Sequence, residues 1–179
     1  MTATKDTSPS CPEREFPKGA LRLSRQTVLP EWIDYNGHMN LAYYIVAIDQ
    51  AFDELLENWL GIGESFVARS RLGPMSLQAQ TFYVEEMLEG QPFYVDVRLV
   101  DFDAKRFHFY AEIMIEADEE NEERLSAAYE ALSMCVDLDE RRSAPYPEWA
   151  QDRMQAMMDA QAHLPRPERL GKTIGIRRK

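Results

Sequence analysis

The order of apolar and polar residues predicts one long helix early in the chain. Over residues 41–60 apolar side chains occur on every side at first and then narrow to one face. This pattern is typical of a helix that is buried all round at its start and amphipathic later. Asn40 is suited to cap the start of this helix, and Gly61 to end it.

After this helix, apolar and polar residues alternate with a period of two, which predicts strands. A shorter strand candidate precedes the helix and is closed by Pro30. Turn signals at Gly90 and Asp103, and an acidic run at 118–123, separate the later strands, which indicates an antiparallel meander. The predicted strands are 21–29, 76–86, 93–102, 106–115 and 125–138.

A second helix is predicted after Asp139, with Pro147 near its first turn and an apolar face that includes Met154 and Met157. The fold class is therefore α+β: a five-stranded antiparallel sheet wrapped around one long helix, plus a C-terminal helix. We expect a disordered lead-in at 1–20, one domain at 21–162 and a basic tail at 163–179. The exposed sheet edge and helix flank predict a homodimer or a dimer of dimers.

Charge and cysteine content narrow the classes of partner and the compartment. The chain of 179 residues has 31 acidic and 20 basic residues, a net charge of −11 that repels nucleic acid and anionic membranes. We therefore expect neither as a partner. Two cysteines and a polar start without an apolar run predict a cytoplasmic protein. The tail carries six basic residues and one acid, and could fold back onto the acidic body or reach a ligand.

Several kinds of site have no support in the sequence. The three histidines are far apart and lack zinc-type spacing with either cysteine. Gly171-Lys172-Thr173 has the end of a phosphate-binding loop, but Arg166 stands where that loop needs glycine. No Gly-x-Ser-x-Gly motif is present. We therefore expect no metal and no cofactor.

The best candidate for chemistry is the segment Asp34-Tyr35-Asn36-Gly37-His38-Met39-Asn40, directly before the long helix. The first N–H groups of a helix have no partner within it and carry partial positive charge, so they stabilise an oxyanion. A carboxylate just upstream can act as a base or a nucleophile. The alternative is that Asp34 and Asn36 are only turn and cap residues, with His38 as a polar neighbour.

This segment, with Pro30-Glu31-Trp32-Ile33 before it and Tyr43-Tyr44 after it, resembles the entry motif of hydroxybenzoyl-CoA thioesterase-like hotdog enzymes, Asp-x-x-Gly-His-x-Asn. Residues 103–108, 136–138 and 141–147 resemble one branch, the thioesterases that accompany or are fused to carnitine dehydrogenase and act on betainyl-CoA. The resemblance covers residues 22–178. It implies a hotdog fold and hydrolysis of an acyl-CoA thioester without a metal or redox cofactor.

The resemblance also implies roles for individual residues. Asp34 would be the catalytic carboxylate, and the backbone N–H of Leu41 would donate to the oxyanion. Gly37 would let the turn approach the thioester, while His38 and Asn40 would shape the pocket. Many relatives have a second asparagine where this chain has Leu41, which changes the pocket wall more than the backbone donor.

The residues expected to contact substrate each have a competing structural explanation. The aromatic residues around Asp34, with Asp49 further along the helix, could hold a trimethylammonium group, or these aromatic residues could fill the core. Lys105 and Arg106 could bind the phosphates of coenzyme A or form a solvated turn, and His108 could line the acyl pocket or pack elsewhere. A non-catalytic hotdog module that binds acyl groups or serves assembly is the rival function, and the intact Asp34 motif favours the enzyme. The expected substrate-binding residues are Trp32, Tyr35, Asn36, Tyr43, Tyr44, Lys105, Arg106 and His108.

Overall fold

The computed structural model describes residues 5–23 and 25–176 and confirms the α+β fold, with one antiparallel sheet curved around a long helix. The strand predicted at 21–29 is divided into two short strands that both pair with the same neighbour. The strands are β1 (Leu21–Arg22), β2 (Gln26–Thr27), β3 (Leu72–Tyr83), β4 (Pro92–Phe102), β5 (Arg106–Ile115), β6 (Arg124–Asp137) and β7 (Arg142–Ser143). The helices are α1 (Leu41–Leu55), α2 (Glu64–Ser70) and α3 (Glu148–Gln161).

The strand order corrects the predicted meander. The sheet runs β1-β4-β5-β6-β3, with β2 beside β4 and β7 beside β6. Only β4, β5 and β6 follow one another as a meander, because β3 pairs with β6 on the far side of the sheet rather than with β4. This arrangement leaves one side of β3 without a partner strand among the described residues, so β3 forms an edge of the sheet.

The core lies between the concave face of the sheet and α1. Alternate residues of the long strands point toward the helix, as the period-two pattern predicts. Small residues occur on both sides of this contact, since Ala47 and Ala51 of α1 and Ala127 and Ala131 of β6 are all buried. The absence of bulk at these positions lets the helix lie close to the sheet.

The long helix begins and ends where the sequence indicates. The Asn40 side chain accepts a hydrogen bond from the Ala42 N–H at 3.0 Å. After α1 the helix continues through one wider turn at Leu56–Leu60, and Gly61 ends it with a positive φ of 75°. The short helix α2 was not predicted, because seven residues are too few to establish a helical period.

The predicted disordered lead-in differs from the structure over residues 5–20. No regular element occurs there before β1, yet residues 5–16, here called the N-terminal strap, are held by remote partners. Arg153 donates to the Cys11 carbonyl at 3.0 Å, and Trp149 Nε1 donates to the Thr7 carbonyl at 2.8 Å. Phe16 is buried in the core. Burial of side chains and of backbone partners, rather than secondary structure, orders this segment.

The tail folds back onto the outer, convex face of the sheet. Leu170 packs against Tyr110 and Ala128, and the Gly171 N–H donates to Glu130 at 2.7 Å. Three of the basic tail residues, at 177–179, lie outside the described residues. None of the helices in residues 5–23 and 25–176 is long and apolar enough to cross a membrane.

Candidate active site

Residues 34–38 form a tight turn at the entrance to α1. The Asp34 N–H donates to the His38 carbonyl, and the Gly37 N–H donates to the Asp34 carbonyl, both at 3.0 Å. Gly37 has a φ of 86°, which a residue with a Cβ adopts only with strain. Ile33 and Met39 pair on either side as an isolated antiparallel bridge, so the turn is closed at its base.

The Asp34 carboxylate is held by two donors from its own loop. Its Oδ1 accepts from the Asn36 N–H at 2.7 Å, and its Oδ2 accepts from the Asn40 amide nitrogen at 3.3 Å. Asp34 is half-buried at this position. The carboxylate is therefore fixed in orientation while part of it stays accessible.

Asn40 connects this carboxylate to the start of the helix. Its amide nitrogen donates to Asp34, and its amide oxygen caps the Ala42 N–H. The Asn40 carbonyl also accepts from the Tyr43 N–H at 3.0 Å. The N–H of Leu41 has no acceptor in the part of the chain that the structure describes. A free backbone donor at the positive end of α1 thus lies next to a fixed carboxylate.

The loop is anchored on the rigid scaffold on both sides. The Met39 N–H donates to the Met87 carbonyl at 2.8 Å, and the Asn40 N–H donates to the Trp32 carbonyl at 2.8 Å. Met39 and Met87 are both buried. These contacts fix the distance between the carboxylate and the helix start, as preorganised catalysis requires.

The His38 side chain contacts the segment after β3. Its Nε2 lies 3.0 Å from a carboxylate oxygen of Glu86, and both side chains are substantially exposed. Glu86 was not identified from the sequence, because the strand prediction ended there without any chemical signal. The His38–Glu86 pair therefore provides polar side chains beside the turn.

The four aromatic residues near Asp34 differ in their exposure and in their ring contacts. Trp32 is buried and stacks on Tyr43 at 5.5 Å between ring centroids, with an angle of 13°. Tyr44 is buried and meets Tyr83 edge to face at 5.2 Å. Tyr35, in contrast, is 96% exposed. Three of these rings therefore support the loop and the helix, and Tyr35 alone stands free in solvent.

Lys105, Arg106 and His108 lie away from Asp34 in the same chain. Trp32 contacts Phe93 near the start of β4, while the basic pair follows the end of β4, about 30 Å along the strand. Lys105 reaches Ser143 at 3.4 Å.

Arg106 and His108 each form a side-chain contact with a nearby carboxylate. Arg106 Nε donates to Asp103 at 2.8 Å, and hydrogen bonds from Arg106 and from the Lys105 backbone hold the pKa of Asp103 down to about 2. His108 is on the outer face of the sheet, with Nε2 2.9 Å from Glu130. The structure does not bring these three residues to the turn within one protomer.

A cavity of about 160 Å³, not identified from the sequence, lies between α1 and the sheet. Two carboxylates one helical turn apart, Asp49 and Asp53, occur on its helical wall. Asp49 was identified from the sequence as a carboxylate that could assist cation binding, whereas Asp53 was not distinguished from the polar face of an amphipathic helix. Three aromatic side chains, Phe107, Phe109 and Tyr129, occur on the opposite wall. The lining residues are Ile45, Asp49, Phe52, Asp53, Leu56, Pro74, Ser76, Phe107, Phe109, Tyr129, Ala131 and Ser133.

Comparison with known proteins agrees with this geometry. The family model described as the thioesterase-like superfamily matches residues 28–154. A betainyl-CoA thioesterase of Pseudomonas aeruginosa is 31% identical over 149 residues, which are 83% of this chain and 91% of that protein. An L-carnitine dehydrogenase/betainyl-CoA thioesterase of Rhizobium meliloti is 27% identical over 160 residues, 89% of this chain but 31% of that longer protein.

Among solved structures, a Staphylococcus aureus protein in complex with CoA superposes with a TM-score of 0.80 at 25% identity. The match covers 92% of this chain and all of that chain. The fold, the turn before α1 and the family match all agree with the resemblance drawn from the Asp-x-x-Gly-His-x-Asn motif. The chain therefore belongs to the thioesterase-like superfamily and is a thioester hydrolase with the hotdog fold.

Proposed function

We propose that this enzyme hydrolyses betainyl-CoA to glycine betaine and free coenzyme A. The observation that carries the chemistry is the fixed Asp34 carboxylate beside the unpartnered N–H of Leu41. The acyl group is supported by the Pseudomonas aeruginosa relative, whose similarity extends over most of both chains. The CoA-bound Staphylococcus aureus neighbour supports the coenzyme.

The start of α1 stabilises the charge that develops on the thioester oxygen. As a nucleophile adds to the carbonyl carbon, its oxygen becomes negative and accepts a hydrogen bond from the Leu41 N–H. The aligned peptide dipoles of α1 add positive potential at the same point. A donor that is already oriented needs no reorganisation during the reaction, which is why such sites contribute strongly to catalysis.

Asp34 supplies the attacking group by one of two routes. As a general base it takes a proton from water, and the resulting hydroxide attacks the carbonyl carbon. As a nucleophile it forms a mixed anhydride, which water then hydrolyses. In both routes the C–S bond breaks, the thiolate of coenzyme A leaves and takes up a proton, and the acid is released. The same carboxylate position serves both.

The acyl specificity can be tested at constant shape. We expect kcat/KM for betainyl-CoA to exceed that for tert-butylacetyl-CoA, its neutral isostere, by about tenfold, because a trimethylammonium group gains about 1–2 kcal/mol from aromatic and acidic surroundings. Thiol release measures both. Equal rates would overturn the betainyl assignment, and a protein inert toward a broad acyl-CoA panel would instead be a non-catalytic binding module.

We further propose that the enzyme works as a homodimer joined along β3. Exposed apolar side chains occur on α1 (Leu41, Ile45) and on the edge strand β3 (Met75, Leu77), and Ile45 lines one cavity with Ser76 of β3. A sheet edge and an apolar patch of this kind are covered in stable proteins. A second copy related by a two-fold axis would cover both at once.

Leu77→Glu is expected to convert the dimer to monomers and to abolish most of the thioesterase activity. The substitution places a charge in the middle of the proposed interface. Light scattering and thiol release measure the two effects. Ile174→Glu is the control, because Ile174 is also a large exposed apolar residue but belongs to the tail. A wild-type protein that is monomeric at micromolar concentration and fully active would contradict the dimer.

The positioning role of Asn40 separates from its capping role by substitution. Asn40→Ser keeps an oxygen that caps the Ala42 N–H, so unfolding free energy should change by less than about 0.5 kcal/mol. It removes the amide that holds Asp34, so kcat should fall about tenfold while KM stays constant. Asn40→Ala loses both contacts and should cost about 1 kcal/mol of stability as well. An unchanged kcat in both variants would show that Asn40 serves the helix alone.

A further inference from the structure

The cavity between α1 and the sheet carries more negative charge than its neighbours balance. Asp49 and Asp53 are four residues apart on one face of α1, a like-charge spacing that destabilises a helix. Neither forms a salt bridge with a described lysine, arginine or histidine. Burial raises the pKa of Asp53, and the nearby negative charges of Asp49 and Glu64 raise it further. The cavity therefore has a deficit of positive charge.

Two polar side chains on the sheet side of this cavity are largely buried as residues and make no hydrogen bond to a described residue. Tyr129 is only 7% exposed, and its hydroxyl makes no hydrogen bond within the described part of the chain. Burial and the negative charge of Asp49 both raise the pKa of Tyr129. Ser133, another lining residue, is 8% exposed and its hydroxyl is likewise unpartnered among described residues. Neither hydroxyl is among the fully buried polar atoms that lack a partner, so both are accessible to a ligand in the cavity.

Aromatic rings complete the cavity. The ring of Phe52 lies between those of Phe109 and Tyr129, at 5.4 Å and 5.8 Å between centroids. Rings of this kind attract a cation through their negative faces, and carboxylates add to the attraction. At about 160 Å³ the cavity matches the size, about 150 Å³, that admits benzene in an engineered protein core, and a trimethylammonium group has fewer heavy atoms than benzene.

We propose that the cavity bounded by Asp49, Asp53 and Tyr129 is the subsite that selects the trimethylammonium end of the acyl group. The inference rests on the proposed function. A quaternary ammonium has no N–H to donate, so it is recognised by charge and by ring faces. The cavity offers both, whereas three of the four aromatic residues around Asp34 are engaged in packing.

The subsite serves the catalytic turn of the other protomer. Asp49 follows Leu41 by eight residues, which is about 12 Å along the helix. A single methylene joins the carbonyl to the nitrogen of a betainyl group, so one protomer cannot hold both ends. A two-fold axis perpendicular to the sheet reverses the partner's α1 and brings its N-terminus toward the second half of this helix. Exposed Ile45 and Ser76 line the cavity on the surface proposed for this contact.

Charge-removing substitutions test the subsite. Asp49→Asn and Asp53→Asn should each lower the ratio of kcat/KM for betainyl-CoA to that for tert-butylacetyl-CoA by about tenfold, with the neutral substrate little affected. The double variant should lose the preference completely. Asp152→Asn, the same change at an exposed position of α3, should leave the ratio unchanged. Light scattering establishes that each variant keeps the wild-type oligomer.

Mixed dimers test the placement across the interface. Co-refolding Asp34→Asn chains with Asp49→Asn/Asp53→Asn chains produces hybrids in which one site combines an intact turn with an intact cavity, if the two come from different protomers. Betainyl-CoA turnover with wild-type selectivity should then return in the mixture. If turn and cavity act within one protomer, no site is intact and selectivity stays lost, which would overturn the placement.

The two proposals fail in different ways. A wild-type enzyme without preference for betainyl-CoA over the neutral isostere would overturn the proposed function, and the subsite with it. A wild-type enzyme that has the preference, with carboxylate variants that lose both substrates equally or lose neither, would overturn only the subsite.

Discussion

Asp34→Asn is expected to lower kcat by at least about a hundredfold and to leave the fold intact. Asparagine has the shape of aspartate and can still accept from the Asn36 N–H, so the turn should keep its conformation. It cannot act as a base or a nucleophile, and the loss of such a group costs about two or more orders of magnitude. Thiol release gives kcat, and thermal unfolding reports the fold.

Asp152→Asn provides the matched control for Asp34→Asn, since it removes the same charge from an exposed site on α3. It should retain the wild-type kcat and melting temperature. If Asp34→Asn kept most of the wild-type rate with several acyl-CoAs, Asp34 would have no part in the chemical step.

Leu41→Pro should remove the oxyanion donor without breaking the helix. Proline is well accommodated at the first helical position, where its missing N–H has no intrahelical role. The preceding residue, Asn40, has φ −63° and ψ 143°, a conformation that proline tolerates after it. Loss of one donor at an oxyanion site costs about 100- to 1,000-fold in kcat. The expected result is therefore a folded enzyme with kcat reduced by that factor.

Leu41→Ala distinguishes the backbone from the side chain at this position. Alanine keeps the N–H and removes the 61% exposed leucine side chain, so it should retain most of the activity if the dimer persists. Equal activity losses in the alanine and proline variants would assign the effect to the side chain and refute the backbone role. Circular dichroism would show whether α1 is preserved in both.

The long elements of the fold could be predicted because their patterns are long. Strand β5 and the start of α1 agree with the sequence prediction at residue level, since period-two alternation and the Asn40 cap are local signals. The position of β3 at the sheet edge could not be predicted, because pairing partners depend on contacts between distant segments. The order of the N-terminal strap was missed for the same reason: its polar composition gives no sign of the buried arginine that holds it.

In the candidate site, too, features set by local sequence could be predicted and features set by contacts between distant segments could not. The turn at residues 34–38 and the cap at Asn40 follow from local preferences of aspartate, asparagine and glycine, so the motif could be interpreted from the sequence. The use of Trp32 and Tyr43 in mutual stacking could not, because an aromatic residue suits a core and a ligand pocket equally well. Asp49 could be suggested from the sequence as a partner for a cation, but its placement with Asp53 opposite the aromatic rings of the sheet depends on the tertiary fold.

The N-terminal strap also affects how the chain reaches its folded state. Thr7 and Cys11 each meet a partner 142 residues further along the chain, and Lys5 meets Asp137 across 132 residues. Contacts that close such long loops form late, and during synthesis those of Thr7 and Cys11 must wait until α3 has been made. Because interactions absent from the folding transition state act mainly on the reverse rate, the strap slows unfolding more than it speeds folding. It therefore contributes to the kinetic persistence of the native enzyme, at a site remote from its chemistry.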